Sequence, residues 1–274
     1  YIYNNRVIEF VAYTKNNSKT GAGVSLNAIS VAGIDIYGNT LTKDVISNPR
    51  FVSSVPTSNY NKPEVYNFSH LLLNGGDRHM YRYSQNNNAY YTIEDSWGAS
   101  SLSAAMTAVM LSKYPFYKWH PEVVKAVWLT AGADPANPPI KRNGKDIAGK
   151  YTINMNTLME NNKSRYWYGN NGDFFDNETI TFSEKVEPGA TYNAAIAWLV
   201  RGDYAAEAKN TSSSYKIRAY TSKGTLFTSG TTVATNRVGK FTVPSNINTV
   251  YFEITRTRNV ANDRVILGFN LHKQ

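Results

Sequence analysis

The sequence predicts an α/β region with a parallel sheet, followed by an antiparallel β-sandwich. In the first region, apolar runs typical of buried strands at residues 7–12 and 28–34 precede helical stretches at residues 96–114 and 121–129. Strands that alternate with helices favour a parallel sheet covered by helices. Beyond an Asn/Gly-rich segment at residues 168–173, short strands of period two are separated by turn residues. This second pattern is typical of a sandwich.

The change of pattern predicts two domains, at residues 1–165 and 166–274. A chain of 274 residues has room for about two domains of ordinary size. No helix-length pattern occurs in the second region. Its strands are predicted at residues 179–182, 192–200, 215–220, 238–243, 249–255 and 265–271.

Composition limits the function classes. With 42% hydrophobic and 18% charged residues, the chain is expected to bury a globular core. It contains no cysteine, which excludes disulfides, thiolate catalysis and cysteine-ligated zinc. No apolar run approaches the roughly 18 residues of a membrane span, so no transmembrane segment is expected in this chain.

The net charge of +9 raises nucleic acid as a partner, but the distribution of charge argues against it. Residues 1–165 carry 17 basic and 11 acidic side chains, and residues 166–274 carry 12 and 9. There is no basic tail and no helical arginine stripe. We therefore interpret the charge as general surface basicity and expect no nucleic-acid partner.

The helix predicted at residues 96–114 is the most informative segment. Ala, Gly and Ser occupy nearly every face, which predicts a central helix buried on all sides. A serine at its start would face unpaired N–H groups and the positive end of the helix dipole, an environment that stabilises an oxyanion. The simpler interpretation is that such a serine only caps the helix.

Five stretches, in the right order, resemble the C-terminal half of a subtilisin-like serine protease (subtilase) domain. They match its oxyanion strand, the following strand, a Lys-Pro-Asp-Val motif, the small-residue helix and the closing helix. The stretches are Phe10-Val11-Ala12-Tyr13-Thr14-Lys15-Asn16, Asn27-Ala28-Ile29-Ser30-Val31-Ala32-Gly33-Ile34-Asp35, Lys62-Pro63-Glu64-Val65, Leu111-Ser112-Lys113-Tyr114-Pro115 and residues 121–131. The resemblance implies a partial subtilisin-like domain with acyl-enzyme chemistry on protein substrates.

The resemblance implies Ser96 as the nucleophile and Asn16 as the oxyanion-hole donor. Ser100 and Ser101 remain alternatives for the nucleophile, and Asn17 for the donor. The family's Gly-Thr before the nucleophile is Glu94-Asp95 here. Because a carboxylate there should oppose negative charge, a catalytically inactive pseudoprotease that binds proteins is the alternative function.

In the family, the triad Asp and His precede the serine. The four histidines of this chain, His70, His79, His120 and His272, all lack the family's His-Gly-Thr context. The chain begins at Tyr1 without an initiator Met, which favours removal of an upstream segment. We expect the N-terminal half of the protease domain to be a partner that supplies Asp and His, and this chain alone to be inactive.

The C-terminal region also resembles known proteins. Residues 192–199 are similar to an inner strand of the jelly-roll-like β-sandwich that follows many bacterial subtilase domains. The Asn-rich, cysteine-free composition resembles the mycoplasma proteases that cut immunoglobulin heavy chains. These resemblances imply an extracellular or cell-surface protein, with immunoglobulin as one protein substrate.

The sequence bears on two classes of cofactor, metal ions and nucleotides. Asp173, Asp176, Asn177 and Glu178 cluster in a turn whose oxygens would suit a structural Ca²⁺, with a solvated turn as the alternative. Neither a Walker loop nor Gly-x-Gly-x-x-Gly occurs, which disfavours nucleotide enzymes. We expect no catalytic cofactor and no catalytic metal.

Overall fold

A computed structural model of the chain provides the fold. The structure describes residues 1–13, 25–35, 50–51, 63–68, 70–74, 90–94, 96–131, 141–142, 145–146, 150–151, 155–170, 178–201, 213–230, 235–258 and 264–274.

Parallel strand pairs form the centre of the first region. After a short helix α1 (Ile2–Asn5), strands β1 (Phe10–Ala12), β2 (Ile29–Asp35), β4 (Val65–Phe68) and β9 (Lys150–Tyr151) pair in this order, and each pair is parallel. Strand β3 (Arg50–Phe51) pairs antiparallel with β2. The same part of the chain also forms two antiparallel hairpins: β5 (His70–Asn74) with β6 (Tyr90–Glu94), and β7 (Lys141–Arg142) with β8 (Lys145–Asp146).

Helix α2 (Ser96–Lys113) packs on β1, β2 and β4. It ends just before Pro115, which starts a 3-10 helix over Pro115–Trp119, because proline cannot continue an α-helix. The predicted helix is thus confirmed, but the expectation that it is buried on every face is wrong. Within the described structure one face is exposed, since the sheet covers only the opposite side. The exposed residues include Ala104, Ala105, Ala108 and Val109.

The second region is an antiparallel β-sandwich, as predicted. Its strands are β10 (Asn162–Gly169), β11 (Thr179–Lys185), β12 (Thr191–Trp198), β13 (Ser214–Thr221), β14 (Gly224–Thr228), β15 (Asn236–Thr242), β16 (Thr249–Arg258) and β17 (Val265–Lys273). One sheet has the order β10-β17-β12-β15 and the other β11-β16-β13-β14. Apolar side chains from both sheets, such as Ile196, Ile217, Phe252 and Phe269, fill the space between them.

Two of these strands were not predicted, and one crosses the predicted domain boundary. Strand β10 follows the short helix α4 (Met155–Met159) and pairs with β17 along its whole length. The boundary between residues 165 and 166 therefore falls inside β10. Strand β14 is a short partner of β13, and its residues are exposed or only partly buried.

Helix α3 (Pro121–Ala131) is the element that joins the two regions, and all of its residues are buried. One side contributes Val124, Val127 and Trp128 to the core beneath β2 and β4. The other side packs Ala126 and Leu129 on Ala195 and Ala197 of β12. Small side chains on both partners let the helix lie close to the outer face of the sandwich.

Candidate functional site

The candidate nucleophile Ser96 is the first residue of α2. The strand before it, β6, ends at Glu94, which pairs with His70 across the hairpin. The backbone N–H groups in the first turn of a helix have no partner within the helix, and a residue at this point lies among them. The side chains of Ser96, Glu94 and His70 lie outside what the structure describes, as does all of Asp95. The nucleophilic role of Ser96 stays a prediction.

The alternative nucleophiles occupy a different position in the helix. Ser100 and Ser101 lie four and five residues inside α2, where backbone N–H groups are taken up by the carbonyls of the preceding turn. Ser100 is buried and Ser101 is exposed. Neither has the helix-start geometry that favours an oxyanion, so the helix boundary favours Ser96 over both.

The candidate oxyanion donor Asn16 and its rival Asn17 lie outside the described residues. Strand β1, which leads toward them, ends at Ala12 and pairs with β2. Tyr13 continues this pairing, because its N–H donates to Val31 O at 2.8 Å. The role of Asn16 stays a prediction.

Asn67 fixes the first half of α2 against the sheet, a role that sequence reasoning missed. The fully buried Asn67 in β4 donates from Nδ2 to Ser103 Oγ at 3.0 Å, and Ser103 Oγ donates to Ala99 O at 2.9 Å. The sequence does place a polar amide between Tyr66 and Phe68 in a buried strand. Because buried polar groups almost always have partners, this residue could have indicated such a contact. This contact ties the first half of α2 to β4.

The structure describes the side chains of two of the four histidines, and both have partners other than the start of α2. His79 and the side chain of His70 lie outside the described residues. His272 is buried on β17, with Nδ1 3.2 Å from Asn162 Oδ1. Loss of hydration lowers the pKa of His272 to about 4. It is therefore neutral at pH 7.

His120 is buried in a polar cluster at the start of α3. Its Nδ1 lies 2.8 Å from Glu122 Oε1, and Arg6 Nη2 lies 3.0 Å from the same nitrogen and 3.4 Å from that oxygen. Nδ1 can donate to Glu122 or accept from Arg6, but it cannot do both at once. The cluster ties the N-terminal segment to α3, and the rings of Phe116 and Tyr166 cover it.

The motif Lys62-Pro63-Glu64-Val65 supplies a second polar contact to α3. Glu64 is fully buried, and its Oε1 lies 2.7 Å from Nζ of the buried Lys125. Its Oε2 accepts from the Ser30 N–H at 2.8 Å. In this arrangement Glu64 neutralises a buried cation and holds β2, so its role in the structure is architectural.

The proposed calcium turn is described only at Glu178. Asp173, Asp176 and Asn177 lie outside the described residues. Glu178 adopts a positive φ of 64°, and its Oε2 accepts a hydrogen bond from Arg256 Nε. This bond lowers the pKa of Glu178. Within the described ranges, no three His, Asp or Glu side chains group as metal ligands, and the calcium site stays a prediction.

In the part of the chain that the structure describes, no helix combines the length and apolarity needed to cross a membrane. No protein-family model matches the chain, and no curated protein does.

Several solved structures share a weak likeness with part of the chain. The pre-peptidase C-terminal domain of a collagenase from Bacillus anthracis is 9% identical, over 41% of this chain and 89% of that domain, with a TM-score of 0.27. PliG, a periplasmic inhibitor of g-type lysozyme from Aeromonas hydrophila, is 7% identical, over 41% and 84%, with a TM-score of 0.25. The CBM36-1 domain of a multidomain xylanase from the hindgut metagenome of Trinervitermes trinervoides is 10% identical, over 40% and 96%, with a TM-score of 0.26.

Proposed function

We propose that the chain is part of a subtilisin-like serine endopeptidase. Ser96 attacks the scissile carbonyl, and the amide of Asn16 with the Ser96 N–H binds the oxyanion. The triad His and Asp come from the N-terminal half of the protease domain, outside this chain. The observation that carries the proposal is that α2 begins at Ser96, directly after β6, with its first half packed on a sheet of parallel strands.

Strand order supports the proposal in both regions. In the parallel order β1-β2-β4, strand β1 lies at one side of the sheet on which α2 packs. Asn16 follows β1 in the sequence. In the sandwich, the orders β10-β17-β12-β15 and β11-β16-β13-β14 are compatible with an eight-stranded jelly roll. Both arrangements agree with the resemblance in the sequence.

The exposed face of α2 supports the proposal that another half of the protease domain packs on this helix. It carries Ala104, Ala105, Ala108 and Val109, and Val109 is 51% exposed. Small apolar side chains along one face allow another backbone to approach closely. An N-terminal half that supplies His and Asp would have to pack near the helix that carries Ser96, and this face is available for it.

The two histidines whose side chains the structure describes support inactivity of the chain alone. A serine needs a base within hydrogen-bond reach to become a nucleophile. His120 is bonded to Glu122, and His272 is buried beside Asn162. Protein substrates, immunoglobulin among them, and an extracellular or cell-surface location are part of the proposal and rest on the resemblance alone.

A fluorophosphonate probe tests the proposal on the intact protein that contains this chain. We expect labelling of a peptide that contains Ser96, abolished in Ser96→Ala and retained in the matched control Ser101→Ala. Labelling that persists in Ser96→Ala would refute the assignment of the nucleophile. Loss of labelling in Ser101→Ala with retention in Ser96→Ala would move the nucleophile to Ser101.

The second candidate is a pseudoprotease that binds proteins without cleaving them. It is favoured by Glu94, which ends β6 two residues before the helix start, where a carboxylate opposes a developing oxyanion. This function predicts no probe labelling and no proteolysis by the intact protein. Proteolysis that a serine inhibitor abolishes would eliminate it.

A further inference from the structure

Arg237 is a buried cation at one end of the sandwich. It lies near the start of β15, opposite Ile196 of β12. Because opposite residues of an antiparallel pair share a face, its side chain is on the side that faces the other sheet. At this end β12 stops at Trp198 and β13 starts at Ser214. Only 4% of Arg237 is exposed.

The hydrogen bonds of Arg237 leave one edge of its guanidinium without a full set of acceptors. Nη1 donates to Asn236 O at 2.7 Å, and Nη2 makes a long 3.3 Å bond to Ser214 Oγ. Nε is buried and has no acceptor. The guanidinium carbon lies 5.1 Å from the centre of the Trp198 ring. The edge formed by Nε and Nη2 is therefore incompletely paired.

No carboxylate pairs with Arg237 among the described residues, which distinguishes it from other arginines of the sandwich. Arg165, Arg218 and Arg256 each form an ion pair with a glutamate. Loss of hydration lowers the pKa of Arg237 to about 10, and no carboxylate of the described residues offsets this effect. An arginine keeps its charge at any physiological pH. A buried charge without a counterion is unfavourable, so we expect an anion from another molecule to bind favourably.

We propose that Arg237 is the receptor for a carboxylate carried by another molecule, which binds at the Nε/Nη2 edge beside Trp198. The planar fork of arginine matches the two oxygens of a carboxylate, with two parallel N–H···O bonds. A peptide can offer this group as an Asp or Glu side chain or as its C-terminus. The site goes beyond the proposed peptidase function and does not depend on it.

Binding of small carboxylates to the full chain tests the proposal, in a buffer without carboxylate or phosphate. The probes are N-acetyl-aspartate amide for a side chain and N-acetylglycine for a chain terminus, with N-acetyl-asparagine amide and N-acetylglycine amide as uncharged matches. We expect saturable binding by calorimetry of at least one acid, at least tenfold tighter than that of its amide. Which acid binds identifies the source of the carboxylate. Equal binding of acids and amides, no binding at all, or binding of inorganic phosphate only would overturn the proposal.

Variants of Arg237 distinguish an arginine that binds a ligand from one that only stabilises the fold. We expect Arg237→Met to weaken binding of the acid at least tenfold, and Arg237→Lys, which keeps the charge but loses the fork, to weaken it at least threefold. The control Arg218→Gln should bind as wild type does, because Arg218 is paired with Glu253. Without ligand, Arg237→Met should be at least as stable as wild type. Unchanged binding in Arg237→Met would overturn the proposal. If Arg237→Met does not fold, the comparison of acids with amides on wild type decides the matter.

Discussion

Nζ of Lys125 lies 2.7 Å from Oε1 of Glu64, and both side chains are fully buried. Lys125 also donates to Leu26 O at 2.9 Å, Ala28 O at 3.1 Å and Thr235 Oγ1 at 3.1 Å. One ammonium group thus joins α3 to the residues before β2, β4 and β15. Because its partners come from both regions of the chain, this ion pair holds the parallel sheet and the sandwich to the same helix.

We expect Lys125→Met to lower the free energy of unfolding by about 3–5 kcal/mol. The methionine fills similar space, but the substitution leaves the Glu64 carboxylate buried without a counterion. Glu64→Gln should also destabilise, and the double variant should lose less than the sum of the two single losses. Urea denaturation of the four proteins measures these differences.

The matched control is Lys118→Met, because Lys118 is exposed on the 3-10 helix and lies over the Trp119 ring. We expect it to change stability by less than about 0.5 kcal/mol. Additive losses in the double variant would show that Lys125 and Glu64 act independently, against the geometry of the buried pair.

Gly268 of β17 is predicted to tolerate no side chain. A Cβ at this position would lie 2.5 Å from the Glu122 carbonyl carbon and 2.6 Å from the Val123 nitrogen. Both are backbone atoms at the start of α3, so the helix itself would have to move. We expect Gly268→Ala to cost about 1–3 kcal/mol or more in unfolding free energy, as measured by urea denaturation.

Gly230→Ala is the control for this substitution, since nothing lies within 4 Å of a Cβ there. It should be neutral or slightly stabilising, because alanine reduces the freedom of the unfolded chain. Equal losses in the two variants would mean that α3 is not held against β17 as closely as described.

Local sequence patterns predicted those elements whose residue pattern matches the way they are packed. Helix α2 was predicted from its small residues and the stop at Pro115, and it spans Ser96–Lys113. The period-two strands of the sandwich were predicted because one face of each strand packs in the core between the two sheets. Strand β10 was missed because its first half, from Asn162 to Arg165, is polar and its pairing with β17 is specified by distant residues.

The polar contacts that hold α2 and α3 in place depend on residues far apart in the sequence. No local pattern indicates that Lys125 meets Glu64, or that Asn67 fixes Ser103. The exposed face of α2 was missed for a related reason. A run of small residues permits close packing on every side, but only the tertiary structure determines which sides are covered.

His272 is predicted to make the protein less stable as the pH falls. Burial lowers its pKa from 6.5 to about 4 in the folded chain, so below about pH 6.5 the unfolded chain takes up a proton that the folded chain does not. Stability is therefore lost progressively between about pH 6.5 and pH 4. The difference in pKa corresponds to at most roughly 3 kcal/mol.

Denaturant titrations at pH 7, 5.5 and 4 of wild type and His272→Asn measure this effect. Asparagine can keep a donor toward Asn162 Oδ1 but does not titrate. We expect the difference in stability between the two proteins to shift in favour of the variant as the pH falls. A difference that stays constant from pH 7 to 4 would contradict the lowered pKa of His272.

Val109→Lys tests whether the exposed face of α2 is covered in the active protein. In this chain Val109 is 51% exposed, so the substitution should change its stability by less than about 0.5 kcal/mol. If the half that supplies His and Asp packs on this face, a buried ammonium there would be strongly unfavourable. We then expect fluorophosphonate labelling of the intact protein to fall at least tenfold. Tyr251→Lys, at a side chain of β16 with 45% exposure, is the control that should keep its labelling. Full labelling of Val109→Lys would show that the partner half packs elsewhere.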